Sequence, residues 1–194
     1  MEFFYVIQNP VEIKNLLKRY IQNHLVENLI QKINENKTIK IHASGLSGSS
    51  KNFIISALFS QFNSSILFIA NEKEQAAYIY NDLASLNDKH KVFFFPSSYK
   101  RSIKYKQTDS SNNILRTETL NKIQSSSQNI IIVSYPEAIA EKIIDKTSFQ
   151  KQKAEFKKSQ KITIEEIHQQ LENFNFERTD FEYQPGQYSI RGSI

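Results

Sequence analysis

The chain of 194 residues contains no cysteine and no tryptophan, and it has only one methionine. Without cysteine it cannot build a disulfide scaffold, a thiolate zinc site or a cysteine nucleophile. Long apolar runs are missing too, because the longest fall far short of the roughly 20 residues that span a bilayer. The N-terminus, MEFFYVIQNP, lacks the cationic region of a secretory signal. We therefore expect a cytoplasmic protein that does not associate with a membrane.

The composition is sufficient for a folded core, with 39% hydrophobic residues, 14 Phe and 9 Tyr. Lys and Arg exceed Asp and Glu by 25 to 20, which gives a net charge of +5. An excess of this size permits contact with nucleic acid, but a solvated basic surface explains it equally well. The four histidines do not lie at metal-ligand spacing from one another, so we expect no metal site.

Most of the chain has the alternating pattern of an α/β domain. After Pro10 one long helix is predicted, and then strands alternate with helices: strands at 38–43, 65–70, 91–95 and 129–133, and helices at 51–62, 72–86, 109–123 and from 134 to about 144. Most of these strands are apolar on both faces, as in a parallel sheet covered by helices on both faces. The three consecutive phenylalanines at 93–95 predict a central strand. Residues 1–148 are therefore predicted to form one domain.

The pattern changes in residues 149–194. We expect a strand at 151–158, and a helix opened by the capping box of Thr163 and Glu166. An antiparallel hairpin is predicted next, with its turn at Pro185 and Gly186. So little structure buries little apolar surface. We interpret this segment as the N-terminal part of a small, truncated α+β domain.

The loop between the first strand and its following helix resembles a phosphate-binding loop, G-x-x-x-x-G-K-[ST]. Gly45 and Lys51 stand at their expected positions, with Gly48 between them. Ser50 replaces the second glycine and places a Cβ where backbone approaches phosphate. Asn52 replaces the hydroxyl that holds Mg²⁺. We predict a degenerate loop that binds no nucleotide cofactor; a P-loop ATPase that works with DNA is the alternative.

Another requirement of such an ATPase is an acidic residue at the end of a later strand. The strand at 129–133 has none, and Glu137 is better explained as the acid of a capping box that begins at Ser134. We therefore expect no catalytic residue in this chain.

Several strings, in order along nearly the whole chain, resemble one known family. They are ASGLSGSSK at 43–51, FFPSSYKRS at 94–102, N-x-x-RTE at 113–118, YPEA at 135–138, FER-x-DF at 176–181 and PGQY-x-x-RG at 185–192. Together they resemble the N-terminal, UvrB-homology region of the bacterial transcription-repair coupling factor Mfd. The resemblance implies a RecA-like domain that has lost ATP binding, and an inserted second domain that docks UvrA. It also implies a longer parent, an ATP-driven DNA translocase that removes stalled RNA polymerase and recruits UvrA.

UvrB itself is the nearest competing family. It has an intact P-loop and a long aromatic hairpin that probes DNA damage, whereas here only residues 96–109 occupy that place. This short segment and the substitutions at Ser50 and Asn52 favour the coupling factor.

The resemblance also implies that Arg178 and Arg191 contact UvrA. Arginine suits such a role because its planar fork binds carboxylates bidentately. Alternatively, both arginines are ordinary cross-strand partners of nearby acidic residues. A further alternative is autonomous DNA binding through the basic cluster of Lys100, Arg101, Lys104 and Lys106, for which we expect only weak, salt-dependent association.

Overall fold

The computed structural model describes residues 13–35, 38–99, 109–125, 129–151, 154–183 and 186–192. These residues form two compact units. The first contains the described residues up to 94 and those at 129–136, and the second contains those at 95–125 and from 137 onward. The predicted boundary between 148 and 149 stays a prediction.

The first unit is built on a three-stranded parallel sheet. Its strands are β1 (Ile66–Ile69), β2 (Val92–Phe94) and β3 (Ile131–Ser134), in the order β1-β3-β2. Ile131 pairs with Ile66 on one side and with Val92 on the other. Ile131 and Val133 are fully buried, as expected for a central strand with neighbours on both sides. This parallel sheet flanked by helices confirms the predicted α/β class.

Two predictions about strands are wrong. Residues 38–43 form no strand, and Ile39 and Ile41 are exposed to solvent. An apolar run forms a strand only where its backbone groups find ladder partners and its side chains are buried. The strand with the phenylalanines is not central either, because β3 takes the middle position and β2 an outer one.

The predicted opening helix is two helices, α1 (Ile13–Ile21) and α2 (His24–Glu35). Asn23 lies between them, and its side-chain Oδ1 accepts a hydrogen bond from the backbone N–H of Leu25 at 2.9 Å. Asparagine competes in this way for backbone donors and favours the start of a new helix. The sequence pattern of apolar residues is continuous across this break, which explains why the break was missed.

Two further helices complete the first unit: α3 (Ser50–Gln61) and α4 (Lys73–Leu86). Both were predicted to within two residues. The aromatic ring of Phe53 in α3 stacks on Tyr20 in α1 with centroids 5.0 Å apart. Helix α4 packs against β2 through Tyr80 and Phe94, whose ring centroids are 5.6 Å apart. These contacts fix α3, and with it the loop that precedes it.

The second unit contains α5 (Ser110–Ser125), most of α6 (Pro136–Ala140), α7 (Lys146–Lys151), α8 (Ile164–Asn173), β4 (Glu177–Arg178) and β5 (Gln187–Tyr188). The capping box of α8 is confirmed: Thr163 Oγ1 accepts from the Glu166 N–H at 3.2 Å, and Glu166 Oε2 accepts from the Thr163 N–H at 2.8 Å. The capping box predicted at Ser134 is wrong, because Ser134 ends β3 and α6 begins only at Pro136.

The remaining predictions for this unit are also wrong. No strand forms at 151–158: α7 ends at Lys151, and the described residues from 154 to 163 are irregular. Strands β4 and β5 pair in parallel, through Glu177 N–H to Gly186 O at 2.8 Å and Thr179 N–H to Tyr188 O at 2.9 Å. The chain therefore loops back instead of making a tight hairpin turn. Gly186 at φ +92 enters β5 with a backbone conformation that other residues rarely adopt. Pro185 lies outside the described residues.

Candidate functional site

The loop that resembles a phosphate-binding loop runs from Ser44 into the first turn of α3. Gly45 and Gly48 have φ values of +77 and +54, so both need the conformational freedom of glycine. Ser50 is the first residue of the helix, and its hydroxyl donates to the carbonyl of Ser47 at 2.7 Å. The position of the second P-loop glycine is therefore occupied by a side chain that is bonded back into the loop.

Asn52, at the position of the magnesium ligand, is only 2% exposed. Its Nδ2 donates to Asp82 Oδ2 at 2.7 Å, and the hydroxyl of Ser49 donates to the same oxygen at 3.0 Å. Its Oδ1 is buried without a hydrogen-bond partner among the described residues. Asn52 thus has a packing role, since it joins α3 to α4. Lys51 lies half-buried on the same turn.

Sequence reasoning missed Asp82. A signal was present, because Asp82 lies three residues after Ile79 and directly before Leu83, two buried positions of α4. Within that buried stripe an acidic residue needs a hydrogen-bond donor. In the described ranges, no group of three histidine, aspartate or glutamate side chains could hold a metal ion.

The second unit contains a buried ion pair that sequence reasoning also missed. Arg116 on α5 lies 3.4 Å from Glu141, and their side chains are 8% and 6% exposed. Arg116 also donates to the carbonyls of Pro96 at 2.7 Å and Ala138 at 3.1 Å. Its guanidinium stacks 4.2 Å from the ring centroid of Phe95. Arg116 therefore joins the segment after β2 to the segment around α6.

Glu141 accepts further hydrogen bonds, from the hydroxyl of Ser97 and from the backbone N–H of Ser98 at 3.0 Å. Burial raises the pKa of Glu141, but these two donors and the Arg116 charge together hold that pKa below its ordinary value. Glu141 is therefore ionised at neutral pH. Arg116 and Ser97 belong to two of the strings that carry the family resemblance, and the structure gives both of them a packing role.

The two arginines that the resemblance marks for UvrA lie in the second unit and line one cleft, together with Thr179, Asp180 and Ile190. Arg178 lies in β4 and Arg191 three residues beyond the end of β5, and both are exposed. The structure thus brings the two arginines together although 12 residues separate them in the chain.

Arg191 is held by its own loop. Its Nη2 donates to the carbonyl of Asp180 at 2.8 Å, and its guanidinium lies 4.0 Å from the ring centroid of Phe181. The hydroxyl of Ser189 lowers the pKa of Glu182, and the charge of Arg191 adds to that effect. The same hydroxyl donates to Glu182 Oε2 at 2.7 Å.

The basic cluster of Lys100, Arg101, Lys104 and Lys106, considered above for DNA binding, lies outside the described residues. Among the helices that are described, none combines the length and apolarity that crossing a bilayer requires.

Comparison with known proteins identifies relatives for both parts of the chain. Residues 154–194 match the family model of the UvrB interaction domain. UvrB of Methanosarcina acetivorans is 26% identical over 187 residues, which cover 88% of this chain and 27% of that protein. The transcription-repair-coupling factors of Rickettsia typhi and Bacillus subtilis are each 25% identical, over 73% and 78% of this chain and 13% of their own length.

The chain therefore spans about a quarter of the UvrB proteins it matches and 13% of the coupling factors. Both groups contain the region that the sequence strings resemble. These matches confirm the resemblance: the chain corresponds to the UvrB-homology region that is found in UvrB and in transcription-repair coupling factors.

Proposed function

We propose that this chain is a non-catalytic adaptor module that docks UvrA, as part of a transcription-repair coupling factor. The family match and the relatives support a role in UvrA-linked nucleotide excision repair and transcription-repair coupling. The observation that carries the finer proposal is the pair of exposed arginines on one cleft, inside the segment that matches the interaction domain. Contact with RNA polymerase and DNA belongs, in this proposal, to the parent protein.

The loop before α3 supports a coupling factor rather than UvrB. The resemblance gives UvrB an intact P-loop, whereas here Ser50 and Asn52 replace the glycine and the hydroxyl. Ser50 is bonded to Ser47, and Asn52 is buried against Asp82. A side chain that is buried and already bonded is a poor ligand for a magnesium–nucleotide complex.

The docking chemistry follows from the properties of arginine. A guanidinium is planar, carries five N–H donors and binds a carboxylate through two parallel hydrogen bonds. Arginine is also enriched among the residues that dominate protein–protein interfaces. Arg178 and Arg191 therefore suit an acidic surface on UvrA.

The proposal is tested by measuring the affinity of UvrA for this chain and for its Arg191→Ala variant by calorimetry. Loss of a charge-assisted pair across an interface costs about 2–5 kcal/mol. This corresponds to an affinity at least about thirtyfold lower, since about 1.4 kcal/mol is a factor of ten. Arg178→Ala is expected to weaken binding as well.

Arg19→Ala is the matched control, because Arg19 is an exposed arginine on α1 in the other unit. It is expected to leave UvrA affinity unchanged. Thermal unfolding of all variants shows whether each one still folds. Unchanged affinity in the folded Arg191→Ala variant, or absence of UvrA binding by the unsubstituted chain, contradicts the proposal.

A further inference from the structure

Two aromatic side chains next to Arg191 are exposed. Phe181 is 56% exposed and Tyr183 is 86% exposed, and their ring centroids are 6.4 Å apart. Neither ring gains much from burial in this fold. Exposed aromatics that cluster beside charged groups are typical of interaction surfaces.

The ring of Phe181 lies directly against the guanidinium of Arg191, 4.0 Å from ring centroid to Cζ. The face of an aromatic ring attracts a cation, so this contact restricts where the guanidinium lies. The hydrogen bond to the Asp180 carbonyl restricts its rotation as well. A guanidinium held through its face and through one N–H still presents other N–H groups along its edge.

The nearby carboxylate of Glu182 is an internal competitor for Arg191, because the two charges interact. The hydroxyl of Ser189 binds this carboxylate at 2.7 Å. Part of the hydrogen-bonding capacity of Glu182 is therefore satisfied without Arg191. This arrangement favours a carboxylate from outside the chain as the partner of the guanidinium edge.

We propose that Phe181 is a positioning residue, which holds Arg191 in the orientation that binds a carboxylate of UvrA. This inference rests on the proposed function. Binding the guanidinium before the partner arrives reduces the side-chain entropy that association would otherwise cost. When the partner covers the ring and excludes water, the contact between ring and cation becomes stronger. The matching feature on UvrA is an acidic side chain flanked by apolar surface that packs on Phe181.

The experiment is a double-mutant cycle with UvrA as titrant and Phe181→Leu and Arg191→Ala as the two substitutions. Leucine keeps an apolar side chain but has no aromatic face. We expect Phe181→Leu to weaken UvrA binding about five- to thirtyfold, the range that a cation–aromatic contact supports between exposed and desolvated sites. In the Arg191→Ala background the same substitution is expected to change the affinity less than about twofold. Phe181→Tyr, which retains the aromatic face, is expected to bind like the unsubstituted chain.

A second readout does not depend on UvrA. The Nε–Hε resonance of Arg191 in the free chain senses the ring current of Phe181, so we expect Phe181→Leu to shift it. Tyr183→Leu removes the neighbouring exposed ring but leaves Phe181 against the guanidinium, and is expected to leave that resonance in place.

The outcomes separate this inference from the proposed function. If Arg191→Ala binds UvrA normally, the proposed function is wrong and the inference fails with it. If Arg191→Ala loses binding but Phe181→Leu does not, only the positioning role is wrong. The same conclusion follows if Phe181→Leu still weakens binding in the Arg191→Ala background, because Phe181 then contacts UvrA independently of Arg191. An Arg191 resonance unmoved by Phe181→Leu also overturns the positioning role.

Discussion

Asn52 donates a hydrogen bond to the carboxylate of Asp82 at 2.7 Å, and this bond joins the first turn of α3 to α4. The site of a lost magnesium ligand has thereby become a contact between two helices. Because Asn52 is buried, the contact is sensitive to a change of donor into acceptor.

The first prediction is that Asn52→Asp destabilises the fold at neutral pH. The substitution nearly preserves the shape of the side chain but places two carboxylates within hydrogen-bond distance. Removing a hydrogen bond from a buried charged group costs about 1–3 kcal/mol, and repulsion between the carboxylates adds to this cost. The loss of unfolding free energy in urea is expected to shrink as the pH falls and the pair takes up a proton.

Asn63→Asp is the control for this substitution. The side-chain oxygen of Asn63 accepts from Asn129 at 2.8 Å, on the surface, and aspartate keeps that acceptor. We expect a change of less than about 0.5 kcal/mol. An Asn52→Asp variant as stable as this control means that the bond between Asn52 and Asp82 does not support the fold.

The second prediction is that the chain shows no saturable binding of Mg²⁺-ATP in the micromolar range. The hydroxyl ligand is replaced by a buried asparagine, and the second glycine by a serine bonded to Ser47. Equilibrium titration with a fluorescent ATP analogue measures this directly. Mg²⁺-dependent saturation that Lys51→Ala abolishes would show that the loop still works as a phosphate site.

The third prediction concerns the buried pair of Arg116 and Glu141. Arg116→Met removes the cation and leaves the Glu141 carboxylate buried. Breaking a buried ion pair by removing one partner costs about 3–5 kcal/mol of unfolding free energy. Urea denaturation measures the loss, and Arg19→Ala, at an exposed arginine, is expected to change stability by less than about 0.5 kcal/mol. A loss for Arg116→Met no larger than that of the control would contradict the assigned role.

The fourth prediction is a pH dependence that follows from Glu141. Its pKa in the folded chain lies below the ordinary value of 4.5. A group of this kind stabilises the fold above its unfolded pKa, and the stabilisation is lost as pH falls through its folded pKa. We expect Glu141→Gln to be less stable than the unsubstituted chain at neutral pH, with a gap that narrows progressively below pH 4.5. A gap that is constant across this range would mean that the ionised form of Glu141 is not favoured by folding.

Local patterns in the sequence predicted most of the regular elements. The helices α3, α4, α5 and α8, and the strands β1 to β3, were each placed close to their observed positions. The capping box of Thr163 was predicted because it needs only two residues at fixed spacing. The errors arose where an element depends on a distant partner. The run at 38–43 has strand character but no pairing strand in the structure, and β4 and β5 pair in a direction that their turn residues did not reveal.

The sequence by itself determined the α/β class, the loss of the P-loop glycine and hydroxyl, and the family resemblance, because each depends on residue identity and short spacing. The tertiary structure alone decided the roles of Asp82 and Glu141, and the contact of Arg191 with Phe181. Asp82 meets Asn52 across 30 residues, and Arg116 meets Glu141 across 25. Hydrogen bonds and ion pairs act over a few ångströms in space, so their partners are fixed only once the helices and loops have packed.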